Sequence, residues 1–180
     1  MPLGNDSAPV LTAHALTPDE FAPFGEVVST DAAARRSHFR YAFEASERAV
    51  QPAMWVSYPS TVSSDEVEIT RLERHPHAAQ TFIPIREGRY LVVVCQSAPD
   101  GSPDVSTLRA LIADEGQAVT YRRDVWHHGL TVLDTRSRFA VVTTLTGEAD
   151  DDTFFELGEP VRVRVRIPEP AAQASTDGEA

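Results

Sequence analysis

The stretch Leu72-Glu73-Arg74-His75-Pro76-His77-Ala78-Ala79-Gln80-Thr81-Phe82-Ile83-Pro84 carries strand-forming and chemical residues together. Its flanks, Glu66–Arg74 and Thr81–Ile85, have the Val, Ile, Thr and Phe content of strands, and its middle holds a carboxylate and two imidazoles. Residues two apart on a strand share a face, so Glu73, His75 and His77 are expected to point the same way, with Pro76 distorting the end of the run. Gln80, three past His77, is reachable across a turn.

Working outward, the same texture continues in both directions. Downstream strands are expected over Arg89–Cys95, Leu108–Ala113, Ala118–Arg122, Val125–Leu133 and Phe139–Leu145; upstream ones over Glu26–Ser29, Phe39–Phe43 and Ala53–Tyr58. Turn material separates many of them, at Arg86-Glu87-Gly88, Ala98 to Pro103, Asp114-Glu115-Gly116 and Asp134-Thr135-Arg136. Short strands at this spacing predict a sandwich or barrel. Thr17-Pro18-Asp19-Glu20 has the form of a capping box with proline at the first helical position, predicting a short helix through Phe24 that Gly25 stops. Residues 31–37 are expected to be a polar loop. Val161-Arg162-Val163-Arg164-Val165-Arg166-Ile167 alternates strictly, as a half-buried strand with a solvated or acid-paired basic face. The chain is therefore predicted to be mainly β: a flexible start over 1–10, one β-barrel domain over 11–167 with a short N-terminal helix, and a disordered acidic tail over 168–180.

Composition narrows the function. The 180 residues carry a net charge of −11, which disfavours nucleic acid and anionic lipid as partners. There is no lysine, so all 16 basic residues are arginine; a lysine Schiff base and a lysine general base are excluded, and any basic grip on a carboxylate must be a guanidinium. Cys95, the one cysteine, ends an apolar run and is expected to be an inert buried thiol. No secretory signal and no membrane-length apolar run is visible, so the expected location is cytoplasmic.

A second cluster, Tyr121-Arg122-Arg123-Asp124-Val125-Trp126-His127-His128, opens a later strand. Adjacent strand residues face opposite sides, so only one of His127 and His128 should enter a barrel. His127 is the expected one, with Trp126 and His128 sharing the other face.

The two clusters together resemble the cupin fold, a double-stranded β-helix whose H-x-H-x3–4-E segment and later histidine lie on neighbouring strands. Two registers fit. Either His75 and His77 form the first pair, with Gln80 one position short of the acid, or Glu73 and His75 form it, with Gln80 in the acid's place. His127 supplies the later histidine in both. The second register has the matching spacing, and its donor set, Glu73, His75, Gln80 and His127, holds a divalent metal more weakly than three histidines and a glutamate.

The chain also resembles the ureidoglycolate lyase family, through Phe21–Val28, Leu72–Pro76, Gln80–Pro84, Tyr90–Val94, Pro103-Asp104, Thr107–Ala110, Gly116–Val119 and Tyr121–His128. The resemblance implies cleavage of ureidoglycolate to glyoxylate and urea in allantoin (purine) degradation, by a homodimer. A base removes the hydroxyl proton of the hemiaminal, the C–N bond breaks, and an acid protonates the departing nitrogen. His75 and His127 are the expected proton-transfer pair. Arg74 is the expected grip on the carboxylate, with Gln80, Tyr121, His77 and Trp126 as further substrate contacts. No oxidation state changes, so no cofactor is required and no metal is favoured. Three departures bear on the substrate: Thr120 replaces an Asn, Gly129 replaces a Pro, and Val142-Thr143-Thr144-Leu145-Thr146-Gly147 lies where the family has Asp-Arg-Gly. A related ureido, amidino or 2-hydroxy acid therefore remains in view.

Two other functions stand beside this one: a metal-dependent cupin enzyme, a dioxygenase or isomerase using Glu73, His75, His77 and His127, and a non-catalytic cupin that binds a small acid. Plain structural roles are expected for His14 and His38. Glu73 can equally pair with Arg71 or Arg74, and Arg109 and Trp126 can equally be structural.

Overall fold

The computed structural model describes residues 10–29, 35–86, 88–133 and 136–165. The expected tail, the last two residues of the alternating strand and nearly all of the expected flexible start lie outside them. So does part of the polar loop and of two expected turns.

The chain opens with β1 (Val10–Thr12) and β2 (His14–Ala15), then α1 (Pro18–Phe21) and β3 (Gly25–Ser29). The remaining strands are β4 (Gln51–Ser57), β5 (Glu66–Arg74), β6 (Gln80–Pro84), β7 (Tyr90–Cys95), β8 (Arg109–Ala113), β9 (Gln117–Tyr121), β10 (Trp126–His127), β11 (Thr131–Val132), β12 (Phe139–Leu145) and β13 (Thr153–Arg164). They form two sheets. The larger runs β1-β13-β5-β10-β7-β8-β2, with β11 also on β7; the smaller runs β3-β9-β6-β12-β4. β1 pairs with β13 at one end of the larger sheet and β2 with β8 at the other, and only Ala13 separates β1 from β2. The sheet thus curls until one continuous segment bridges its two ends. This is the mainly β, cupin-like barrel predicted from the sequence, with one short α-helix among the described residues.

β7 shows why its sequence is an unbroken apolar run. Tyr90, Val92 and Val94 pack between the two sheets with Phe82, Val119, Phe139 and Val141. Leu91, Val93 and Cys95 face a second core, wrapped by the larger sheet, with Ile69, Ala110, Trp126 and Val163. A strand buried on both faces has no polar position to alternate with. Burial also pushes the Cys95 thiol up to about 12, so it stays protonated.

Four expectations change in detail. The helix ends at Phe21 rather than Phe24: Pro23 has no N–H to continue the ladder, and Phe24 N–H instead donates to Phe21 O in a tighter turn (2.8 Å). Thr17 is the N-cap: its Oγ1 accepts from Glu20 N–H at 3.3 Å and donates to Glu20 Oε2 at 3.2 Å. Phe39–Phe43 is not a strand, because Tyr41 N–H is taken by Glu26 Oε1 (2.8 Å) and Glu44 N–H by Tyr41 O (2.9 Å) rather than by a ladder. Val125–Leu133 breaks into β10 and β11 across His128, Gly129 and Leu130. The alternating C-terminal strand begins eight residues earlier than expected, at Thr153, and its basic face is in part acid-paired: Arg164 Nη2 lies 3.2 Å from Glu66 Oε1. Among the described residues, no helix is long and apolar enough to cross a membrane.

Candidate active site

The site is assembled where β5 and β10 meet. Glu73 and His127 are directly opposed across the two strands, and opposed residues share a face. β10 also pairs with β7, Trp126 against Cys95 and His127 against Val94, so Trp126 enters the wrapped core and His127 the space between the sheets. His75 lies two residues beyond Glu73, on the same face. The chain then bends at Pro76 and His77, and His77 leaves that face.

One ligand atom from each of Glu73, His75 and His127 lies within 4.8 Å of the other two. His127 Nε2 is 3.6 Å from Glu73 Oε1, and the two imidazole centres are 5.2 Å apart. Each ring is fixed through its other nitrogen. His127 Nδ1–H donates to Val125 O at 2.9 Å, and His75 Nδ1–H donates to Asp152 Oδ1 at 2.7 Å. A carbonyl or a carboxylate can only accept, so in the neutral form of either ring the lone pair is on Nε2. Both Nε2 atoms are buried without a hydrogen-bond partner. Two buried acceptors beside a carboxylate, each steadied by an outer hydrogen bond, are the donor set of a divalent-metal site and equally of a proton-accepting site.

A cavity of about 450 Å³ opens beside this triad. Glu73, His75 and Gln80 line it, with Trp55, Phe82, Thr143, Thr144, Asp151 and Asp152. His127 lies behind them, 1% exposed, with Tyr121 stacked on its ring at 4.2 Å and 12°.

The profile of the ureidoglycolate lyase family matches residues 8–164. The chain belongs to that family. A protein of Agrobacterium fabrum named provisionally as a ureidoglycolate lyase is 36% identical over 86% of this chain and 95% of its own length. The ureidoglycolate lyase of Schizosaccharomyces pombe is 32% identical over the same shares. That of Burkholderia cepacia is 35% identical over 74% of this chain and 79% of its own. Among solved structures, the Bacillus subtilis oxalate decarboxylase, a protein with Mn(II) centres, is 15% identical with a TM-score of 0.33. The match covers 59% of this chain and 23% of that one, too slight a likeness to bear on fold or chemistry.

Within this lyase-family site, burial sets the charge states. Burial, then His75, lowers the His127 pKa to about 3, so the ring is neutral. Burial also raises Glu73, bringing it closer to neutrality, and raises Tyr121 so that its phenol keeps its proton. His75 holds Asp152 below the usual carboxylate range.

The other expected contacts take different places. Arg74 is on the opposite face of β5 from Glu73, by strand alternation. Its guanidinium lies over Trp126 (4.6 Å), donates to Gly101 O (3.0 Å) and approaches Asp124 (3.3 Å). Trp126 Nε1–H donates to the same carbonyl at 3.1 Å. The expected carboxylate grip is thus a brace between loops, away from the cavity. His77 is bound into a surface cluster, 3.1 Å from Asp150, 3.2 Å from Arg48 and 3.3 Å from Ser46. His128 lies between Arg71 O (3.3 Å) and Thr131 Oγ1 (3.2 Å), beside a smaller cavity of about 230 Å³ that shares Glu73 as a wall. Asp151 and Asp152 were not singled out in the sequence. They belong to the run Asp150-Asp151-Asp152 before β13, whose only sequence signal is its charge.

Proposed function

We propose that this chain performs its family's reaction, carbon–nitrogen cleavage of ureidoglycolate to glyoxylate and urea, in the cavity beside Glu73, His75 and His127. The observation that carries this reading is the convergence of three acceptor groups, two with unpartnered buried nitrogens, at a cavity large enough for a small acid.

His75, oriented by Asp152, presents its Nε2 lone pair and is the group that takes the hydroxyl proton. Glu73, whose pKa burial raises, is placed to hold a proton and return it to the leaving nitrogen. His127 is neutral and its one ring proton is held on Nδ1 by Val125 O, so the part of its Nε2 is to accept. Gln80, on the cavity wall, supplies an amide that matches the ureido group. The donor set Glu73, His75 and His127 also fits a divalent cation, which would polarise the substrate's hydroxyl and carboxylate oxygens when bound.

Incubation with racemic ureidoglycolate, following glyoxylate and urea, tests the reaction; release no faster than the spontaneous rate would sink it. Repeating the assay on tag-free protein before and after chelation, alongside elemental analysis, assigns the triad to proton transfer alone or to metal binding. The reading extends to a cytoplasmic homodimer. The exposed Met54, Val56 and Tyr58 on and beside the edge strand β4 support the pairing. A monomer by light scattering, or a dimer that Met54→Glu leaves intact, would remove that support.

A further inference from the structure

The cavity has a one-sided charge. Three carboxylates, Glu73, Asp151 and Asp152, line it, and among the described residues no arginine does, in a chain without lysine. Where the family resemblance has Asp-Arg-Gly, this chain has the uncharged stretch Val142 to Gly147, of which Thr143, Thr144 and Leu145 line the cavity. The one arginine expected to grip a carboxylate, Arg74, is committed to Trp126 and Gly101. The walls also mark a ligand position: the His75 side chain lines the cavity, is 10% exposed, and has no partner for Nε2.

Acceptor-rich walls call for donors and positive charge. Asp151 Oδ1 and Oδ2 accept from Thr146 N–H (2.8 Å) and Gly147 N–H (3.2 Å), which fixes the carboxylate but leaves each oxygen a second lone pair. Asp152 uses one oxygen on His75. Ureidoglycolate brings a net negative charge to this environment. Replacing its urea carbonyl with an amidinium gives a zwitterion that offers a planar cationic fork of N–H donors to paired carboxylates.

We propose that the preferred substrate class of this cavity is the guanidino 2-hydroxy acid, 2-guanidino-2-hydroxyacetate, with its guanidinium held by Asp151 and Asp152. The proposal rests on the lyase reading above and specifies its substrate. The bond changes balance without a co-reactant. A base takes the hydroxyl proton, the oxygen's electron pair forms the aldehyde C=O of glyoxylate, and the C–N bond breaks with its pair on nitrogen. The nitrogen fragment leaves as neutral guanidine and takes the proton back from the base, giving guanidinium. Ureidoglycolate follows the same course, except that its nitrogen needs the proton as it leaves, because the urea anion is a poor leaving group. A cavity of acceptors is better matched to the fragment that departs unaided.

The test runs both racemic acids side by side on the full chain and compares kcat/KM for glyoxylate release above each spontaneous rate. The guanidino acid is expected to lead by at least about tenfold, and Asp151→Asn to shrink that lead several-fold. Guanidinium chloride, at concentrations far below those that unfold the chain, is expected to inhibit cleavage at lower concentration than urea does, a readout that needs no variant. Equal rates, or a lead for ureidoglycolate, overturn this proposal and leave the family reaction standing. Cleavage of the guanidino acid alone supports it and overturns ureidoglycolate as substrate. Cleavage of neither overturns both.

Discussion

His75 Nδ1 and Asp152 Oδ1 are 2.7 Å apart although 77 residues separate them in the chain. The contact is a product of strand register. β13 pairs with β5 antiparallel, Thr153 against Arg74, so the residue before Thr153 falls beside the residue after Arg74. The carboxylate fixes the tautomer of His75 and turns its Nε2 lone pair inward.

Removing that carboxylate should therefore be costly without unfolding the chain. Asp152→Asn is expected to lower kcat for cleavage by roughly 10- to 100-fold, the usual scale for an outer group that orients an active imidazole. Asp152→Glu should restore part of the loss. Steady-state assay at constant pH decides it; full activity in Asp152→Asn would mean that His75 needs no orienting partner.

Asp152 is itself held by a strap. Asp150, two residues earlier, receives Arg48 Nη1 at 2.8 Å and lies 3.1 Å from His77 Nε2, while Asp151 caps Thr146 and Gly147. His77→Ala and Arg48→Ala are expected to reduce kcat by about two- to fivefold, since exposed ion pairs hold their partners only loosely. Both effects should vanish in an Asp152→Asn background, because the strap acts through that residue. Additive losses in the double variant would show instead that His77 acts on the substrate directly.

Gly25 does not stop the helix, which already ends at Phe21; close packing between strands is what requires a glycine there. A Cβ there would run into the Thr120 carbonyl and crowd the Phe21 ring, in the β3–β9 pair where Gly25 faces Tyr121. Gly25→Ala is expected to destabilise the chain by about 2–3 kcal/mol, the cost of forcing a methyl into a packed site. Urea unfolding measures it; an unchanged midpoint would mean that the two strands separate at little cost.

The legible parts of this chain are those fixed by local pattern. Glu66–Arg74 and Phe139–Leu145 were expected with the bounds they have, because burial of alternate residues shows in their composition. Glu73 and His75 could be placed on one face by strand parity alone. Phe39–Phe43 misled because its aromatic content imitates a strand, whereas its backbone is governed by the distant Glu26 carboxylate. Asp152 left no trace because its partner is chosen by the β5–β13 register, which no spacing within Asp150-Asp151-Asp152 encodes. Arg74 lies away from the cavity for a related reason. Its neighbours Glu73 and His75 drew it into the site by proximity in sequence, while strand alternation puts it on the opposite face.

His127 should also leave a mark on stability. Its folded pKa of about 3, set by burial and then by His75, is far below the 6.5 of an exposed imidazole. The unfolded chain therefore binds a proton that the folded chain refuses, so this histidine's contribution is fully present above pH 6.5 and is lost progressively as pH falls toward 3. A shift of that size corresponds to at most roughly 4–5 kcal/mol across the window. In chelator-treated protein, the urea midpoint is expected to fall as pH is lowered from 7 to 4.5. His127→Gln fills similar space but cannot take up a proton, so its midpoint should fall less steeply over the same range. The difference between the two slopes isolates His127 from the carboxylates and the other histidines, which both proteins share. Parallel slopes would mean that the buried ring gains a proton in the folded state, and with it that His127 is free to act as an acid in the reaction.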